Sequence, residues 1–125
     1  MNPNHGRNWE MKRDNDYLRQ LLLKYEADDS HQIVAVKELD GSNEKLVYHV
    51  DLLCDAGLVA PLSNQVYRLT NQGHDFLEAI RNETVWKKTN DVIVQTGGLV
   101  TLDILMGIAK GFLKEAIAKH TGFDF

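Results

Sequence analysis

The 125-residue chain has one cysteine and two prolines, and no apolar run approaches the roughly 18 residues that a membrane-spanning helix needs. A lone thiol cannot close an internal disulfide. Cys54 falls on the apolar side of its predicted helix and is expected in the core. The N-terminus carries no basic n-region followed by an apolar h-region, so export is not expected and the cytoplasm is the expected compartment. Catalytic signatures are missing as well. The sequence holds no G-x-S-x-G, no phosphate-binding P-loop and no G-x-G-x-x-G. His49, Asp51 and Cys54, and the adjacent His74 and Asp75, fit no closed zinc-ligand spacing. No enzyme, no cofactor and no metal are expected. Positive charge is scarce where it would matter most. Between Glu26 and Glu83 eleven carboxylates face only Lys37, Lys45, Arg68 and Arg81, a balance of −7 in a chain whose formal net charge is −4.

What is present is one well-patterned stretch, residues 42–73, with the order helix, hairpin, helix. Ser42 is a suitable N-cap, because its hydroxyl can accept a bond from an unpaired N–H of the first turn. Leu46, Val47, Val50, Leu53 and Cys54 then form an apolar stripe at helical period, and Gly57 can end the helix in the left-handed conformation. Residues 58–60 and 66–69 lean towards strand, with Ser63-Asn64 as the reversal between them and Pro61 confined to an edge. Thr70 caps the next helix, which carries Phe76, Leu77 and Ile80.

The flanks extend this arrangement. Residues 1–10 read as an irregular leader, onto which Trp9 could pack. Asp14 or Asn15 caps a helix bearing Tyr17, Leu18, Leu21, Leu22 and Tyr25. Residues 33–36 form a short strand able to pair with the hairpin. Only residues 37–41 separate that strand from the mid-chain helix, room for one turn at most. Towards the C-terminus, residues 84–95 and a last helix starting at Thr101 are separated by Gly97-Gly98. The predicted fold is therefore mainly α with a small β-hairpin (α+β). Residues 11–82 form a winged helix-turn-helix-like domain and residues 83–125 a helical extension. Trp86, Leu102, Leu105, Ile108 and Phe112 are expected to pack the extension or to join two copies into a homodimer. Gly107 and Gly111, at i and i+4, would permit close helix contact.

Three stretches carry a family resemblance: MKRDNDYLRQLLL from Met11, YHVDLLCDAGLV from Tyr48, and YRLTNQGHDFLEAIRNETVWKKT from Tyr67. With them the chain resembles the domain of unknown function 2513 family, small bacterial proteins often found in phages and prophages. The resemblance implies a winged-helix-like fold. A wider similarity to bacterial winged-helix repressors implies DNA binding, with Asn43, Lys45, Tyr48 and His49 outward on a recognition helix and Arg68 on the wing. Asn43 could read adenine, and Lys45 guanine or a phosphate. The acidic middle of the chain argues for a second reading, a protein-binding module with the winged shape and without a basic surface, such as a binder of a host factor.

Overall fold

The computed structural model describes residues 11–30 and 32–122. The expectations for the leader and Trp9 lie outside the described residues. Among the described residues, five helices and a three-stranded antiparallel sheet follow one another as α1 (Asn15–Ala27), β1 (Ile33–Val34), α2 (Glu44–Asp55), β2 (Val59–Ser63), β3 (Val66–Leu69), α3 (Asn71–Arg81), α4 (Glu83–Gln95) and α5 (Leu102–Thr121). The chain divides into two compact units between Gly73 and His74, inside α3.

In the first unit, Asp14 caps α1 by accepting the Tyr17 N–H at 3.1 Å, and the helix buries Leu18, Leu21 and Leu22. Each such leucine contributes about 2 kcal/mol by leaving water. The sheet order is β1-β3-β2, with Ile33 opposite Tyr67 and Val59 opposite Leu69. β2 is thus an edge strand, which is where Pro61 can sit without breaking the ladder. The reversal lies one residue later than the sequence suggests, at Asn64-Gln65. A bulge between Pro61 and Ser63 adds Leu62 to β2, and Gln65 takes a φ of 63°.

α2 begins at Glu44 with Asn43, not Ser42, in the N-cap position. It stops where Gly57, at φ 76°, lets the Gly57 N–H reach the Cys54 carbonyl and the Leu58 N–H the Leu53 carbonyl. Of the expected stripe only Val50 and Leu53 are fully buried; Leu46, Val47 and Cys54 are half-buried. Thr70 closes the hairpin stem. Its hydroxyl donates to the Gly57 carbonyl at 2.6 Å and accepts the Gly73 N–H at 3.0 Å, while its own N–H donates to the Leu58 carbonyl. Gly73 lies so close to that carbonyl that a Cβ there would stand 2.1 Å from the oxygen, so no larger residue fits.

In the second unit, Asn82 caps α4 and Thr101 caps α5, each side-chain oxygen accepting an N–H from three residues on. α4 packs against α5. Val85, Trp86, Leu102, Leu105 and Ala109 are buried, and the Thr89 hydroxyl is satisfied by the Val85 carbonyl at 2.7 Å. Trp86, Leu102 and Leu105, weighed above as packing or dimer residues, are thus buried within the chain itself. Ile108 and Phe112 are half-buried, with Lys88 Nζ 5.8 Å from the Phe112 ring centre. No helix among the described residues is long and apolar enough to cross a membrane.

Candidate interaction surface

Five side chains were expected to face outward from α2 and the hairpin, and the structure treats them unequally. His49 is fully buried. Its Nε2 accepts the Asp14 N–H at 3.0 Å and its Nδ1 lies 2.8 Å from the Lys45 carbonyl, which fixes the neutral ring with its proton on Nδ1. Tyr17 and Tyr48 flank it, with ring centres at 4.7 and 5.2 Å. Burial pushes the imidazole below its ordinary pKa, and the neighbouring Lys45 adds to that. The Lys45 carbonyl and Asp14 oppose it without prevailing. A histidine can be buried here because both ring nitrogens meet backbone groups, so no polar atom is left bare.

Lys45 is drawn inward by the same cluster. Its ammonium lies 3.2 Å from Asp14 Oδ2 and 4.6 Å from the Tyr17 ring centre. For the Asp14 carboxyl, burial works to raise the pKa and is outweighed by the Tyr17 N–H and Lys45, which hold it below the usual range. Asn43 is engaged too: its Oδ1 accepts the Glu38 N–H at 2.8 Å and its Nδ2 donates to the Val36 carbonyl. Tyr48 is half-buried. Arg68 is exposed on β3, with a guanidinium N–H on the Leu69 carbonyl.

The bonds of Asn43 brace the loop that precedes α2. The Gly41 N–H reaches the Glu38 carbonyl, the Glu44 N–H the Gly41 carbonyl, and the Ser42 N–H the Asp40 carboxylate at 2.9 Å. Residues 36–43 are thus tied to themselves and to the start of α2. At the tip Leu39 is fully exposed, between Glu38 and Asp40, and Val34 and Val36 are exposed on the approach. Ser42 holds Asp40 below the ordinary carboxylate pKa, so it stays charged. Along the outer side of α2, Glu44, Tyr48, Asp51, Leu52 and Asp55 share one face by helical spacing. The surface is an apolar knob in an acidic field. Among the described residues no group of three His, Cys, Asp or Glu is placed to hold a metal ion.

Residues 12–99 match the family described as "Hypothetical protein (DUF2513)". The chain belongs to the DUF2513 family. A similar relative is an "Uncharacterized protein" of Haemophilus influenzae, 30% identical over 120 residues, covering 86% of this chain and all of the relative. No solved structure matches. The family region of this DUF2513 protein spans the braced loop and all of α2. Sequence reasoning passed over Leu39, although one signal was there: a single apolar residue between Glu38 and Asp40, on neither helical stripe. It also placed His49 outward, because its partner Asp14 lies 35 residues away and leaves no trace in the local pattern.

Proposed function

We propose that this DUF2513 protein is a non-enzymatic protein-binding module of winged-helix-like shape. The braced loop 36–43 and the acidic face of α2 form its contact surface. The order α1, β1, α2, β2, β3 with β3 central in the sheet supports the winged-helix-like reading. A bonded turn stands where a helix-turn-helix has its first helix. The observation that carries the function is the fate of the expected DNA contacts: His49 is buried, half-buried Asn43 and Lys45 are bonded to the protein's own groups, and the face left over is acidic. Phosphate binding needs lysines and arginines held out to the backbone, and here the exposed cations Lys37 on the loop and Arg68 on β3 stand against the exposed carboxylates Glu38, Asp40, Asp51 and Asp55.

The chemistry of the surface describes its partner, an apolar pocket with lysines or arginines around its rim. Leu39 is held ready by the loop's hydrogen bonds, so little conformational freedom is lost on docking. An anchoring leucine contributes about 2 kcal/mol, roughly 30-fold in affinity. The test is capture from bacterial lysate, run with and without nuclease treatment, on immobilised full-length protein. A retained protein should be lost with Leu39→Glu and weakened by Glu38→Lys with Asp40→Lys, while circular dichroism stays unchanged. Recovery of nucleic acid instead, with binding that falls steeply with salt and is abolished by Arg68→Ala, would restore the DNA-binding regulator and end this proposal.

A further inference from the structure

The packing of α5 leaves one of its faces open, and the composition of that face is unusual. Leu102, Leu105 and Ala109 turn inward, while Asp103, Ile104, Gly107, Gly111 and Lys114 lie on the opposite side by helical spacing. Ile104 is 51% exposed, and a Cβ added at Gly107 or Gly111 would meet nothing within 4 Å. Leu99, three residues before the helix, is almost fully exposed as well. Among the described residues no ion pair takes up Asp103 or Lys114, whereas Lys119 and Lys88 both turn to Glu115, at 3.2 and 3.8 Å.

We infer that this face is a self-association surface, on which two copies of the chain pair their α5 helices antiparallel about a two-fold axis near residue 109. Charge complementarity selects the second copy as occupant. A two-fold axis perpendicular to the plane of the two helices reverses their direction and keeps each flank on its own side. Asp103 lies about 9 Å before residue 109 along the helix, and Lys114 about 7.5 Å after it. Asp103 of one copy therefore comes level with Lys114 of the other, on the same flank, and the contact is made twice. Gly107 meets Gly111 of the second copy, which allows the backbones to approach with Ile104 covering either end. Lys110 falls beside the axis near its own counterpart, and its ammonium turns out to water. The antiparallel arrangement also sets the positive end of each helix beside the negative end of the other. Such an interface is isologous and closes at two copies. A single helix pair buries less than the ~1,600 Å² of a standard interface, so the dimer equilibrates with monomer at micromolar concentrations.

Sedimentation velocity of the full chain from about 1 to 500 µM tests this. Dimer should form across that range. Asp103→Lys and Lys114→Asp should each weaken it at least tenfold, and the two together should restore it. Gly111→Leu should block the approach and leave a monomer whose melting temperature is unchanged or raised, which separates loss of pairing from loss of folding. A monomer at every concentration, an open-ended assembly, or a dimer indifferent to the charge exchange would each overturn the inference.

Discussion

α2 and α5 are both amphipathic by sequence, yet they distribute their side chains in opposite ways. α2 takes a histidine fully inside and draws a lysine and an asparagine into its own scaffolding. α5 leaves an isoleucine and two glycines facing water. The difference teaches that polarity alone does not assign a face. A polar group can be buried wherever backbone partners satisfy it, as Asp14 N–H and the Lys45 carbonyl satisfy His49. An apolar group can stay outside where no neighbouring element reaches it.

Neighbouring residues on α5 give the sharpest test of that contrast. Leu105→Ala should cost about 3 kcal/mol in urea unfolding, because it empties a fully packed position. Ile104→Ala, one residue away, should change stability by less than about 0.5 kcal/mol. Equal effects would mean that the two faces of α5 are not distinct.

On α2 the corresponding break is His49→Ala, expected to cost about 3 kcal/mol by adding an unaccepted Asp14 N–H to the lost volume. A surface histidine would lose almost nothing. The same residue makes stability depend on pH. Its folded pKa lies below that of the unfolded chain, so the unfolded state takes up the proton first, and stability is present above the ordinary value near about 6.5. As the pH falls from about 7 towards the folded pKa, unfolding should become easier by up to about 1.4 kcal/mol per pH unit. His49→Phe should remove the slope in that window. Asp14, also depressed, has the same sign but acts at lower pH, below its ordinary carboxylate range.

Smaller effects follow from the loop. Asn43→Ala removes both side-chain bonds of the brace and should cost about 1 kcal/mol. Hydrogen exchange should quicken at Glu38 and Gly41 before it does in α2. Lys45→Ala should cost less than Asn43→Ala, about 0.5 kcal/mol, since the Asp14 pair is partly exposed and screened.

The contrast also sorts what the sequence reveals. Local signals were legible: Asp14 caps α1, the last helix starts at Thr101 and Gly57 stops α2, whereas α4 begins at Glu83 behind Asn82, one residue before the expected start at residue 84. Pairing of residues 33 and 34 with the hairpin was legible too, because a short apolar run between polar segments needs a sheet. Features built from distant residues were not. The His49 centre joins α1 to α2, and the shift of the turn to Asn64-Gln65 comes from a bulge that no local residue announces. The candidate surface was half legible, since the acidity of residues 38–55 is written in the sequence. The exposure of Leu39 follows from loop bonding that only coordinates reveal.

The Thr70 hydroxyl, bonded to Gly57 on one side and Gly73 on the other, decouples the hairpin's foot from its tip. Asn64 and Gln65 are exposed at the tip, and lengthening the turn there is entropically mild. That tip is consequently a grafting site. About ten foreign residues spliced there should be carried by the protein as a passenger epitope, with its melting temperature nearly unchanged.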